Sequence, residues 1–302
     1  MNKHPISIII PVYKNYEMFY KYLEINKKHF DGCEVIVAND YPEEKITRKV
    51  KQIYSNAIIM DNKKNLGFAG NVNRGVRLAK RPYVFLMNSD VVLKDASFKK
   101  SVDYLKKDKK LFAIGFAQLE KDGKIVGSNR GYFQNGFINH AHQTLHVTRY
   151  TLHNNFWAEG GASIFNRKLF MDLGMLDELY NPFYWEDIDL SYKAWRAGYE
   201  VKFDPSIVVE HHHESTIGKY FQQEKILRTA FRNQLVFHWK NITDKDLLIK
   251  HLINLPRYIF TPGFFDALLK LPKILQARKE TVRLFKKTDR EILDLFISKL
   301  KS

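Results

Sequence analysis

Between Ile6 and Met87 the chain alternates short, wholly apolar runs with longer amphipathic ones, and this alternation limits the fold more than any other feature of the sequence. Ile6-Ser7-Ile8-Ile9-Ile10-Pro11-Val12, Val35-Ile36-Val37-Ala38, Ala57-Ile58-Ile59-Met60 and Tyr83-Val84-Phe85-Leu86-Met87 each read as a strand. Tyr16–Phe30, Pro42–Tyr54 and Phe68–Ala79 read as the helices between them. Strands that are apolar on both faces, joined through helices, predict an α/β fold: one mostly parallel sheet with helices on both sides. Ligands bind such sheets beyond the carboxyl ends of the strands. Asn39-Asp40 and Asn88-Ser89-Asp90 stand there, directly after their apolar runs.

The rest of the chain is less regular. Residues 111–165 are mixed and turn-rich. Ile188, Tyr192 and Trp195 recur at i, i+4 and i+7 and predict a helix over Glu186–Ala197, closed by Gly198. Val201–Glu210 reads as extended, interrupted at Asp204-Pro205, and a long helix begins near Gly218 with Leu227, Phe231, Leu235 and Trp239 as its stripe. After Pro256 the chain is helical, basic and apolar, with breaks at Pro262-Gly263 and Pro272. A division near residue 240 is expected, giving a domain over 1–240 and a helical C-terminal extension over 241–302. No repeat of about 20–50 residues argues for a solenoid.

Charge narrows the partner. Lys and Arg number 49 against 33 Asp and Glu, a formal net charge of +16, which suits a phosphate-bearing small molecule, a nucleic acid or an acidic membrane face. The single Cys33 rules out an internal disulfide framework and a Cys-rich zinc site, and suits a reducing compartment. Ile6–Val12 is too short and too β-branched for a signal peptide, and no spanning helix is expected. Lys99, Lys100, Lys106, Lys107, Lys109 and Lys110 read as one solvated helix face rather than a nucleic-acid patch. Phe264, Phe265, Leu268, Leu269, Leu271, Ile274 and Leu275 sit among Lys270, Lys273, Arg278 and Lys279. That mixture fits either a helix packed on the main domain or an interfacial helix on an anionic membrane.

Four segments can carry chemistry. Asp90, just past a buried strand, can hold a divalent cation through oxygen, or can simply cap a turn. The glycines between Asn65 and Gly75 let backbone approach either a ligand or a neighbouring helix, and the segment lacks the Gly-Lys-Ser/Thr ending of a P-loop. Glu186, Asp187 and Asp189 open a helix whose dipole favours their ionised forms. Such a carboxylate serves as a general base or as an ordinary first-turn cap. In His211-His212-His213 neighbouring side chains alternate sides of a strand, so one imidazole, not three, can complete a metal site, or can simply be a packed or surface residue.

Taken in order, these segments resemble the inverting family 2 glycosyltransferases of GT-A fold, over roughly residues 5–240. Ser7–Tyr13 is similar to the family's opening strand, and Asn39-Asp40 to the acidic pair that holds the nucleoside. Asn65-Leu66-Gly67-Phe68-Ala69-Gly70-Asn71 is similar to a segment of the rhamnosyltransferase-like branch. Asn88-Ser89-Asp90 resembles the metal motif with Asn88 at its first position, which leaves the metal contact to Asp90. Gly160-Gly161 resembles the acceptor-side glycine pair. Leu173–Glu178 and Glu186–Leu190 resemble the catalytic stretch, Val208–His211 the strand whose His completes the metal site, and Arg232-Asn233 a pair on the following helix. One departure stands out: Tyr41-Pro42 follows Asp40 where the family has Ser.

The resemblance implies a nucleotide diphosphosugar donor, dTDP-rhamnose or a UDP-hexose, held by Pro11, Tyr13, Asp40, Asn65, Gly67, Ser89 and Asp90. It implies Mg²⁺ or Mn²⁺ on Asp90 and His211, Asp187 as general base and Glu186 as the reserve base. The implied acceptor is a glycan, carried on a polyprenyl diphosphate, in bacterial surface-polysaccharide or cell-wall synthesis. The implied location is cytoplasmic, peripheral on the anionic cytoplasmic membrane face, with no nucleic-acid partner. Two rival functions make different demands. A sugar-phosphate nucleotidyltransferase needs a Gly-rich, Arg- and Lys-bearing loop after strand one, where this chain has Lys14-Asn15-Tyr16-Glu17. A non-enzymatic basic module accounts for the charge of +16 but not for acids at successive strand and helix ends.

Overall fold

The computed structural model describes residues 3–142, 151–211 and 216–297. The N-terminal part runs β1 (Ile6–Val12), α1 (Tyr16–Asn26), β2 (Glu34–Asn39), α2 (Thr47–Ile53), β3 (Ile58–Asp61), α3 (Gly67–Leu78), β4 (Tyr83–Met87), β5 (Val91–Leu93) and α4 (Ser101–Lys107). The centre is mainly strand: β6 (Leu111–Leu119), β7 (Ile125–Val126), β8 (Asn129–Gln134), β9 (Phe137–His142), β10 (His153–Asn154) and β11 (Ala162–Asn166). Then follow α5 (Arg167–Asp172), α6 (Glu186–Arg196), β12 (Glu200–His211), α7 (Thr216–Tyr220) and α8 (Gln223–Asn241). The chain closes with α9 (Lys245–Asn254), α10 (Phe264–Leu269), α11 (Leu271–Val282) and α12 (Asp289–Ile297).

The main sheet has the order β10-β12-β6-β11-β4-β1-β2-β3, and β8 and β9 form a separate hairpin. β3, β2, β1 and β4 are parallel neighbours, as the alternation predicts. Beyond β4 the pattern changes, because β11 runs antiparallel to both β4 and β6. Parallel pairing resumes between β6 and β12. The fold class is therefore the expected one, mainly parallel with helices on both faces.

Side-chain alternation explains why the early strands are so uniformly apolar. Ile6, Ile8, Ile10 and Val12 join Phe19 and Leu23 of α1, Val50 of α2 and Leu105 of α4 on one face. Ile9, Ile36, Ala38 and Leu86 face the other way, against Val72 and Val76 of α3. Each large aliphatic or aromatic side chain among them contributes about 1.5–3 kcal/mol on full burial, and the buried Ser7 is accommodated by a hydrogen bond to Glu34. Gly75 makes the second contact fit, since a Cβ there would lie 2.7 Å from Ile9 Cγ2.

Several predicted boundaries move. The first helix ends at Asn26 and continues as a 3₁₀ turn, Lys27–His29. The second begins at Thr47 rather than Pro42, because side chains from two strand ends hold the intervening loop. Asn39 Nδ2 donates to Glu44 O at 2.7 Å, and Asp61 Oδ1 accepts from Ile46 N at 3.2 Å. The lysine-rich helix before Leu111 splits into a 3₁₀ turn, Ser97–Lys100, and α4. The long helix near Gly218 is two helices, broken where Gln222 adopts an extended ψ of 144°. Gly198 closes α6 with φ 89°, as read from the sequence.

The C-terminal helices pack back onto the sheet domain. Ile292, Leu293 and Phe296 of α12 are buried in the same core as α3 and α6, and the Phe296 ring lies 5.3 Å from Phe156 and 5.7 Å from Trp195. Asp289, fully buried, pairs with Arg196. The two readings of residues 264–275 divide between faces: Phe264 and Ile274 are buried, whereas Phe265, Leu268, Leu269 and Leu275 are exposed. Among the described residues no helix is long and apolar enough to cross a membrane.

Candidate active site

A cavity of about 580 Å³ opens at the carboxyl ends of the strands. Every site residue expected from the sequence lines it: Pro11, Tyr13, Asp40, Asn65, Gly67, Ser89, Asp90, Glu186, Asp187 and His211. Their positions follow from the local chain. Pro11 and Tyr13 bracket the end of β1, and Asp40 follows β2. Asp40 is tied to the start of α3, accepting from Leu66 N at 2.9 Å and from Asn62 Nδ2 at 2.8 Å. Burial raises its carboxyl above the usual range, and those hydrogen bonds oppose the shift. Asn65 Oδ1 accepts from Gly67 N at 2.9 Å. Gly67 must be glycine on two counts: its φ is +72°, and a Cβ would lie 2.5 Å from Asn181 Oδ1.

Asp90 and His211 are 121 positions apart in the chain and meet through strand register. β5 pairs antiparallel with β12, with Val91 opposite His211, so Asp90 arrives beside the imidazole. His211 Nε2 lies 3.1 Å from Asp90 Oδ1, and both residues are buried. The other ring nitrogen faces Gln118 Oε1 at 2.5 Å. Gln118 is itself oriented, since its Nε2 donates to the Glu159 carboxylate at 2.5 Å. A carboxylate only accepts, so the Gln118 amide nitrogen turns to Glu159 and its oxygen to His211 Nδ1. Nδ1 therefore carries a hydrogen, and Nε2 is the ring nitrogen that faces Asp90. At 3.1 Å the imidazole and the carboxylate are close enough to share a proton or to contact one cation together, and such outer hydrogen bonds are the usual means of fixing a metal-ligating imidazole. Among the described residues no group of three or more His, Cys, Asp or Glu forms a metal cluster. One carboxylate and one imidazole still fit Mg²⁺ or Mn²⁺, which take remaining ligands from phosphate and water. Gly161 keeps this corner open, because a Cβ there would lie 2.7 Å from Asn88 Nδ2 and 3.1 Å from His211 Cε1. His212 and His213 lie outside the described residues.

The three acids at the start of α6 separate by environment. Asp187 borders the cavity, its Oδ2 accepting from Gly160 N at 3.1 Å and its Oδ1 from Ile188 N at 2.8 Å. Burial pushes its carboxyl up to about 6 against the Gly160 hydrogen bond, with the charge of Glu159 adding to the rise. Glu186 is pushed well above its ordinary range by burial and then by neighbouring Asp187. Among the described residues its Oε2 has no hydrogen-bond partner. Asp189 does not reach the cavity. It is fully buried and accepts from Lys240 at 2.9 Å, Asn241 at 2.7 Å and the Tyr180 hydroxyl at 2.9 Å. Burial opposes its ionisation, but Lys240 and Lys193 outweigh that and hold it at about 2. Its part is to lock α6 to α8 rather than to orient an acceptor.

The loop before α6 forms another wall. Tyr184 and Trp185 take left-handed φ values of 71° and 79°, a strained conformation for aromatic residues. α8 holds them there: Asn233 Nδ2 reaches the carbonyls of Tyr180 at 2.6 Å, Phe183 at 2.9 Å and Tyr184 at 2.9 Å. Arg232 donates to Asn181 O at 2.6 Å. The Arg232-Asn233 pair thus shapes the cavity from behind.

Among the lining residues that sequence reasoning missed are His140 and His142 on β9, Trp157, Glu159 and Phe221. His140 stands edge-on to Trp157 at 4.9 Å and to Trp185 at 5.2 Å. The run Trp157-Ala158-Glu159-Gly160-Gly161 was the available signal, of which only the glycines stood out. Nothing in the hairpin's own sequence marks it as a cavity wall.

The model of the family described as "Glycosyl transferase family 2" matches residues 7–174. The poly-beta-1,6-N-acetyl-D-glucosamine synthase of Staphylococcus aureus strain COL is 24% identical over 181 residues, 58% of this chain and 42% of that enzyme. The chain thus spans less than half the length of that relative. Among solved structures, GalNAc-T7 with UDP, GalNAc and Mn²⁺ superposes with a TM-score of 0.67 at 15% identity, covering 96% of this chain and 56% of that one. The mannosyltransferase PcManGT from Pyrobaculum calidifontis, in complex with GDP-Man and Mn²⁺, gives 0.54 at 14% identity, covering 99% and 87%. S. aureus TarS 1-349 gives 0.51 at 16% identity, covering 99% and 85%.

Proposed function

The chain belongs to glycosyl transferase family 2, and on that premise we propose that it moves a sugar from a nucleotide diphosphosugar to a glycan hydroxyl with inversion at C1. The observation that carries this reading is one cavity bordered by both the Asp90–His211 pair and a carboxyl, Asp187, pushed up to about 6. Tyr13, Pro11, Asp40, Asn65, Gly67 and Ser89 bind the nucleoside diphosphate side of the donor. Asp90 and His211 hold Mg²⁺ or Mn²⁺, which when bound supplies positive charge beside the diphosphate as the sugar–oxygen bond breaks. Asp187 accepts the proton of the acceptor hydroxyl while that oxygen forms its bond to C1 on the face opposite the departing diphosphate. The Gly160 N–H keeps the carboxylate aimed. Glu186, which borders the same cavity, is the reserve base.

The donor is dTDP-rhamnose or a UDP-hexose, and the acceptor a lipid-linked glycan in bacterial surface-polysaccharide synthesis. The named relative, a polysaccharide synthase, supports the pathway class. We take residues 1–240 as the transferase domain and 241–302 as an extension that brings it to the cytoplasmic membrane face. A melting screen with UDP-, dTDP- and GDP-sugars, each with Mn²⁺ and with EDTA, tests the reading. One nucleotide class raises the melting temperature with Mn²⁺ and loses that rise in EDTA. No shift with any of them, together with no sugar transfer, overturns it.

A further inference from the structure

More than half of the large apolar side chains that stand exposed among the described residues fall between Ile249 and Leu275. Phe260 is 94% exposed, Leu269 83% and Ile253 69%, so these side chains project fully from the surface. Their spacing is not random. On α9, Ile249, Leu252 and Ile253 fall at i, i+3 and i+4 and face out, while Leu247 and His251 are buried. On α10, Phe265, Leu268 and Leu269 repeat the same pattern, while Phe264 and Ala267 are buried. Each helix is therefore apolar on two sides, where one facing water carries polar residues on its outer side. The same stretch bears Lys250, Arg257, Lys270 and Lys273 against Asp266 alone, and Asp266 is engaged by Arg228 at 2.5 Å.

We propose that α9, the Phe260 tip and α10 form one composite surface that seats on an anionic lipid bilayer. The apolar side chains enter the boundary between headgroups and acyl chains, and Lys250, Arg257 and Lys273 meet the anionic headgroups. Charge selects this occupant over a second copy of the chain, since apposing two such patches sets like charges against each other. The surface is also wired to the cavity: Lys270 Nζ donates to Leu179 O at 2.6 Å, next to the loop that Arg232 and Asn233 hold. The proposal deepens the transferase reading, and rests on it only for the use made of the surface, which is to present a lipid-borne acceptor to that wall.

The test needs neither donor nor acceptor, so its failure leaves the transferase reading standing. The full chain is sedimented with vesicles of phosphatidylcholine alone and with about one third phosphatidylglycerol. Binding to the anionic vesicles that weakens with salt is expected. The double variant Phe260→Ser, Leu269→Ser is expected to partition at least about tenfold less while keeping the parent melting temperature. Absence of binding to anionic vesicles overturns the proposal, as does equal binding by the variant. Self-association of the parent that the variant abolishes overturns it too, by assigning the face to a second copy.

Discussion

The two walls of the cavity are built in different ways. On the side of β1, β2 and α3, each lining residue belongs to the strand or helix end that places it, and Pro11, Asp40 and Gly67 all lie within a few residues of an element boundary. On the opposite side the lining comes from β9, the run 157–161, the loop before α6, the end of β12 and Phe221. Only long-range contacts bring those pieces together: Asn233 to three loop carbonyls, Asp189 to Lys240, and Gln118 between Glu159 and His211. The first wall is a property of local sequence. The second is a property of packing, so substitutions remote in sequence should disturb it most.

The largest effect belongs to the second wall. Asp187→Asn is expected to lower kcat by about 10²–10⁴ in a transfer assay, with Glu186→Gln costing far less. A larger loss for Glu186→Gln than for Asp187→Asn would move the base to Glu186. Because a base acts only when ionised and Asp187 is pushed up to about 6, kcat/KM should fall as pH drops through 6 and stay level above it. A plateau extending well below that value would exclude Asp187 from the role.

Next comes stability. Asp189→Ala removes the acid that two lysines face and should cost about 3–5 kcal/mol by urea unfolding at neutral pH. The folded carboxyl is held at about 2, below the ordinary 3.8 of an aspartate, so its contribution is present above the higher value and fades as pH falls through the lower. An unchanged midpoint would show that α6 and α8 do not depend on this lock.

Gln118→Leu tests whether an outer hydrogen bond sets the imidazole. Mn²⁺ binding, read by metal-dependent melting, should weaken about 10–100-fold with little change in the metal-free melting temperature. Equal affinity would mean that His211 is oriented without it. The smallest effect is expected on the first wall. Gly67→Ala forces a left-handed alanine and should lower stability by about 1–2 kcal/mol in thermal unfolding. A loss as large as that of Asp189→Ala would erase the distinction between the walls.

The apolar strands and the acids at their ends were legible because two-sided burial leaves a sequence signature along most of β1, β2 and β4. Likewise Gly198 and the helix of Ile188, Tyr192 and Trp195 announce themselves through period and cap. The start of α2 was not legible, since it depends on Asn39 and Asp61 reaching across to loop backbone. Nor was the antiparallel β11, whose direction reflects which neighbours it meets and not its own five residues.

At the site, the sequence by itself determined which side chains have the right chemistry and, near the strand ends, where they stand, because short-range geometry follows from φ, ψ and period. Only the tertiary structure decided that Glu186 and Asp187 border the cavity while Asp189 is buried away from it, that Asp90 meets His211, and which histidine nitrogen faces it. Those outcomes depend on strand register and burial, which are set across the chain: His211 lies 121 positions from Asp90 and 93 from Gln118, and Lys240 lies 51 from Asp189.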